Sequence, residues 1–146
     1  MERRRFLLTS LAGALIMLPA CPAQKVEKVA RVGILSPSYS SGPNRKAFED
    51  RLGELGWTAG RNLVLEQRFA EGQLDRLPTL AQDLVRLNVD VIAAFGPLAI
   101  KPAQDATRTI PIVMIGVTDP VGLGYVASLP RPGGNVTGVT WEPTQE

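Results

Sequence analysis

The sequence predicts an α/β fold built as a doubly wound, five-stranded parallel sheet in the strand order 2-1-3-4-5. Three observations lead there. Short runs of β-branched and apolar residues recur along the chain, too uniformly apolar to have a wet face. Segments of about ten residues with helical apolar spacing separate them, and such alternation demands right-handed parallel crossovers. Finally, 14 Gly and 12 Pro in 146 residues supply the tight turns between short elements.

The first strand is read over Val29 to Leu35, ending at Ser36-Pro37. A Ser/Gly/Pro/Asn loop follows, and Asn44 is placed to cap a helix to Leu55 whose stripe is Phe48, Leu52 and Leu55. Gly56 stops that helix, because a residue past a helix end commonly needs positive φ. Asn62 to Phe69 is the second strand. Asp75 is expected to cap a helix to about Leu87, with Leu77, Leu80, Ala81 and Leu84 facing inward and Pro78 harmless in its first turn.

Val89 to Phe95 and Ile110 to Val117 are the third and fourth strands. Between them, Pro97 to Thr107 carries Ala99, Ala103 and Ala106 on one face, with Pro102 expected to shorten or kink it. Asp119-Pro120 is read as a cap with proline at the first helical position, opening a short helix through about Ser128. Arg131-Pro132-Gly133-Gly134 is a turn, and Val136 to Thr140 is the fifth strand. Trp57 and Trp141 are read as packing residues.

The first 23 residues read as an export signal. Arg3, Arg4 and Arg5 precede the 13-residue, mostly apolar run Phe6 to Leu18, roughly 20 Å as a helix and too short for the roughly 30 Å core of a bilayer. Arg3-Arg4-Arg5-Phe6-Leu7 resembles a twin-arginine export signature, although Glu2 and Leu8 depart from it and leave ordinary secretion open. Cleavage after Ala23 and lipidation at Cys21, in the lipobox-like Leu18-Pro19-Ala20-Cys21, are competing readings. Either one places the body, from residue 24 onward, outside the cytoplasmic membrane, soluble in the periplasm or lipid-anchored.

Composition then removes whole classes of chemistry. The absence of histidine excludes Ser-His-Asp and Cys-His catalysis and His-containing metal sites. A single cysteine excludes an intrachain disulfide, a CxxC pair and a thiolate zinc cage. With Glu2 and Arg3 to Arg5 set aside, the 16 basic and 14 acidic residues fall to 13 of each, so the body is neutral and offers no nucleic-acid footprint. No dinucleotide fingerprint, P-loop or nucleophile elbow occurs, and Gly122-Leu123-Gly124 lies too late in its unit to serve as one. No enzyme, cofactor or metal is expected.

In a doubly wound sheet, ligands sit at the carboxyl ends of the strands, where successive helices leave toward opposite faces. That places Ser36 to Ser38, Gly96 to Leu98 and Thr118 to Pro120 around one opening. Asp119 is the only ionisable residue among them, with helix capping and ligand contact both open and mutually compatible. The Ser36 hydroxyl either satisfies a local amide or meets a ligand; Gly96 either turns the chain or lets a ligand approach its backbone.

Several segments together resemble a known family: AEGQLDRLP from Ala70, TIPIV from Thr109, Asp119-Pro120-Val121, and above all SLPRPGGNVTGVT from Ser128. With the arginine-rich leader ahead of Val32-Gly33-Ile34-Leu35-Ser36, they are similar to ABC transporter substrate-binding proteins of the tryptophan/tyrosine type, which have the type I periplasmic-binding-protein fold. The resemblance implies the N-terminal lobe of a two-lobed receptor, residues 24–146, with the second lobe missing. It implies a small solute such as an amino acid as ligand, an ABC permease in the membrane as partner, and a separately supplied second lobe as another candidate partner. By position, the family's ligand loops fall at Ser36-Pro37, Gly96-Pro97 with Leu98 beyond, and Thr118-Asp119. Pro97 stands where a small polar residue is common, and it lacks an amide N–H for a ligand carboxylate. The alternatives are a truncated, non-binding lobe and a sensory ligand-binding domain without transport.

Overall fold

The computed structural model describes residues 28–38 and 43–140. The stretch read as an export signal, Cys21 and Trp141 lie outside them. Five strands, β1 (Ala30–Ser36), β2 (Leu63–Phe69), β3 (Val91–Phe95), β4 (Ile112–Val117) and β5 (Val136–Thr140), form one sheet in the order β2-β1-β3-β4-β5. Every pairing is parallel. The helices are α1 (Pro43–Glu54), α2 (Leu77–Arg86) and α3 (Pro97–Ala106). The predicted architecture and strand order therefore hold.

The two faces of the sheet are unequally covered. On one, α2 buries Leu77, Ala81 and Leu84, and α3 buries Ala99, Ile100 and Ala103, against Leu35, Ile92, Ala94, Ile112 and Met114. On the other, α1 alone sets Phe48 and Leu52 against Val32, Leu63 and Ala93, and no α1 residue is fully buried. Phe48 meets Phe95 edge-on, with ring centres 5.7 Å apart, so α1 lies over β1 and β3.

Local chemistry moves several predicted boundaries. Strand β4 starts at Ile112 because the Thr107 hydroxyl accepts hydrogen bonds from the amides of Thr109 and Ile110, holding that stretch as a turn. Asn135 locks the same turn by donating to the carbonyls of Thr107 and Ile110. Asn62 is a turn residue rather than the first strand residue: its side-chain oxygen accepts from Thr58 N and its amide donates to Gly56 O. Trp57 is at the surface, 37% exposed, and does not join the core.

Three helix expectations need correction. Asp75 caps nothing with its side chain; it lies in a 3-10 turn, Leu74–Arg76, that leads directly into α2. Pro102 does not end α3, which runs unbroken through it for ten residues. No helix follows Asp119. The Asp119 carboxylate does accept from Gly122 N, as a cap would, but only one turn closes, with Leu123 N donating to Asp119 O and Tyr125 N to Pro120 O. Asp119 enters the turn at positive φ, and Gly124, also at positive φ, ends it before a second can form.

Candidate functional site: a cleft at the ends of β1, β3 and β4

Helix α1 follows β1 to one face, and α3 follows the adjacent β3 to the other. This divergence leaves a crevice between the two strand ends. It is a cleft of ≈ 220 Å³. Ile34, Ser36, Pro37 and Ser38 line it from β1 and its outgoing loop, Asn44 and Arg45 from the first turn of α1, and Phe69, Phe95, Gly96, Ile115 and Gly116 from the other strand ends.

Each side chain has a local reason for its position. Ser36, 7% exposed, accepts at its hydroxyl from Ser38 N at 3.3 Å, and Ser38 Oγ lies 3.3 Å away. The carbonyls of Ser36 and Pro37 accept from Ala70 N and Gly72 N, so the loop after β1 is held to the loop after β2. Gly96 takes φ 79°, which lets the chain leave β3 directly into α3 while its own N–H is held by Ile115 O. At the opposite wall, Arg45 Nε and Nη2 donate to Glu49 Oε1 at 2.8 and 2.7 Å, and the guanidinium carbon lies 5.2 Å from the centre of the Phe69 ring.

Ser36, Pro37 and Gly96 thus meet at one cleft, while Pro97, Leu98, Thr118 and Asp119 do not line it. The pairing of β4 with β5 shifts register between Ile115 and Val117, and Gly116 takes φ 72°. Beyond this bulge the chain turns toward the α3 face. There Val126 is buried, Tyr125 OH donates to Pro97 O, and Gln104 donates to Tyr125 O. Pro97 is the first residue of α3, its carbonyl engaged by Tyr125, and Leu98 is exposed beside it.

Sequence reasoning did not find Asn44, Arg45, Phe69, Phe95 or Gly116. Asn44, expected to cap α1, lies inside it and near Gly116, where an added Cβ would stand 3.5 Å from its amide nitrogen. The i,i+4 spacing of Arg45 and Glu49 was a readable signal for a helical ion pair. Its position over Phe69 was not readable, because it depends on how α1 crosses the sheet.

Arg45 is the only charged residue lining the cleft among the described residues, and no carboxylate lines it. Nor does any group of three or more metal-ligating side chains occur among them. Hydroxyls, an amide, a guanidinium and two aromatic rings suit the holding of a small molecule with an anionic group and an apolar body.

The family model described as "ABC transporter substrate binding protein" matches residues 32–145. A tyrosine-binding protein of Clostridioides difficile (strain R20291) is 35% identical over 96 residues, 66% of this chain and 28% of its own length. Among solved structures, a domain from Streptococcus pneumonia in complex with L-Trp superimposes with TM-score 0.69 at 30% identity, covering 76% of this chain and 38% of that one. A ligand-free, open substrate binding protein with adhesive properties from Clostridium difficile gives TM-score 0.72 at 28% identity, covering 77% and 39%. A conserved domain protein from Vibrio cholerae gives TM-score 0.73 at 33% identity, also covering 77% and 39%. The chain therefore spans well under half the length of these relatives.

Proposed function

The chain belongs to the ABC transporter substrate-binding protein family, whose members bind rather than transform their ligands, and on that premise we propose that residues 24–146 are the N-terminal lobe of an extracytoplasmic solute receptor. Its solute is a small molecule, an amino acid of the kind named for the relatives, tyrosine or tryptophan. The cleft where β1 and β3 diverge carries this reading. Its open side is where a second lobe closes, and an ABC permease receives the bound solute. No helix among the described residues is long and apolar enough to cross a membrane.

In this reading the ligand carboxylate lies at the start of α1, where free backbone amides and the helix dipole favour an anion, with the Ser36 and Ser38 hydroxyls and Arg45 around it. The apolar body lies against Phe69, Phe95 and Ile115. Ser36, Pro37 and Gly96 are the predicted residues that serve the ligand directly. Asp119 closes its own loop through Gly122, and Pro97, Leu98 and Thr118 support the rim from behind.

One lobe offers a ligand only one wall. Losing about half the contact, ~150 Å² at ~25 cal/mol/Å², removes ~4 kcal/mol, a loss on the order of a thousandfold in affinity. Titration of the 146-residue chain with L-tyrosine and L-tryptophan, followed by amide chemical shifts, is expected to move Ser36, Ser38 and Gly96 at millimolar concentration. Calorimetry of the same samples is expected to detect little or no heat. No shift at the cleft at about 10 mM would overturn the amino-acid assignment, and micromolar affinity would overturn the single-wall argument.

A further inference from the structure

The body is neutral in total, yet its charges are not evenly placed. All five strands are parallel, so their starts share one end of the molecule, opposite the cleft. At that end stand Lys28 and Arg31 on the run into β1, Arg61 just before β2, Asp90 just before β3 and Arg108 shortly before β4. The ion pairs of the helices that end there, Arg51–Glu54, Arg86–Asp83 and Lys101–Asp105, balance internally. Four cations therefore share one carboxylate.

Local structure uses only part of this charge. Arg31 Nη1 donates to Leu87 O just past α2, and Asp90 holds Arg31 N and Lys28 Nζ. The side chains of Arg61 and Arg108 are exposed and make no ion pair or hydrogen bond with the described residues. Arg131, also unpaired among them, lies on the loop that leads back to β5. The carboxylates outside ion pairs, Asp75 and Asp119, both stand at the cleft end, after β2 and β4. The lobe is thus polarised along its strands, positive away from the cleft. We propose that the amino end of the sheet is a docking face for an anionic lipid surface, which holds the lobe with its cleft turned away from the bilayer.

Geometry favours a surface over a single anion. Arg61 and Arg108 are three strand spacings apart, about 14 Å at ~4.8 Å per strand, so they suit phosphates spread in a plane. The same end receives the chain from the stretch read as an export signal. Lys28 follows Cys21 by seven residues, at most about 25 Å of extended chain. A lipid on Cys21 would keep this face near the bilayer, and the cations would supply the second signal that stable anchoring takes. The face does not need that lipid, because each cation at an anionic surface strengthens partitioning roughly fivefold. This inference goes beyond solute binding and does not rest on it.

The test is co-sedimentation of the 146-residue chain with vesicles of phosphatidylcholine, alone or in equal parts with phosphatidylglycerol. The leader is common to every variant, so its contribution cancels in their ratio. Arg61→Gln and Arg108→Gln are each expected to weaken partitioning onto the mixed vesicles roughly fivefold and to change nothing on phosphatidylcholine. Arg76→Gln removes the same charge from the cleft end and is expected to leave both unchanged. In nanodiscs of the mixed lipids, but not of phosphatidylcholine alone, a gadolinium headgroup lipid should broaden the amides of Arg61 and Arg108 before those of Ser36 and Gly96. Both arginines are exposed, so the variants should keep their fold, checked by unchanged Val32 and Ile92 methyl resonances. Equal weakening by Arg76→Gln and Arg61→Gln would reveal a response to net charge alone and overturn the docking face. Unchanged partitioning of both Arg61→Gln and Arg108→Gln, or broadening that starts at the cleft, would overturn it too. The solute response at the cleft is read separately, so either reading can fail without the other.

Discussion

Single residues fix the geometry at places where the sequence pattern is silent. Gly138 in β5 takes φ 150°, and an added Cβ there would meet the Met114 backbone oxygen and lie 2.7 Å from Met114 N. Neither atom can move without breaking the β4–β5 ladder. Gly138→Ala is therefore expected to destabilise the protein by at least about 2 kcal/mol, read from urea denaturation midpoints. Asp90 gives a pH-dependent counterpart. Arg31 N donates to its carboxylate at 2.8 Å, and Lys28 adds an opposite charge, so the Asp90 carboxyl titrates below its ordinary value of 3.8. Since the unfolded chain binds that proton more readily, the stabilisation is complete above the ordinary carboxylate range and is lost as pH falls through the lowered value. The stability difference between wild type and Asp90→Asn should persist at neutral pH and shrink as the solution is acidified below the ordinary carboxylate value of 3.8; a difference that did not change with pH would rule the carboxylate out as its source. Both features were hidden in the sequence, because each depends on a partner on another strand. Ser36 and Gly96, by contrast, were legible, since the end of an apolar run is also the end of a strand.

Elements were read better than their ends. All five strands and three of the four predicted helices exist, because apolar runs and helical spacing report burial directly. The fourth, after Asp119, failed because its start signal was genuine but nothing continued it: Val121 and Leu123 are exposed, so no apolar stripe binds a second turn to the sheet. Where a stripe does exist, packing is tight. Leu84 of α2 is fully buried, and a Cβ on Gly33 of β1 would stand 3.1 Å from both its terminal methyls. Leu84→Ala should cost about 2–5 kcal/mol. Gly33→Ala should be destabilising by itself but milder in the Leu84→Ala background, because the vacated volume receives the new methyl. Additive losses in a double-mutant cycle would show that helix and strand do not meet there.

At the scale of the molecule, the sequence revealed the layered architecture and placed the ends of β1 and β3 at the cleft, but not the contribution of β2 through Phe69. It did not reveal the unequal coverage of the two faces. Helical spacing shows that α1 has an inward side, but not how much of the sheet one helix can hide. The α2 and α3 face is sealed, while on the other side β4 and β5 lie open beside α1. The cleft is likewise complete on one side only.

The all-parallel sheet also sets a kinetic constraint. No strand can find a partner through a short hairpin: β1 closes onto β3 through contacts such as Arg31 with Asp90, 59 residues apart. Loop-closure entropy must be spent before any such contact stabilises the chain, which puts folding in the slow range of single domains, about milliseconds to seconds. During that interval the β-branched runs are exposed and prone to aggregate, so the time between synthesis and closure is when this polypeptide is most vulnerable.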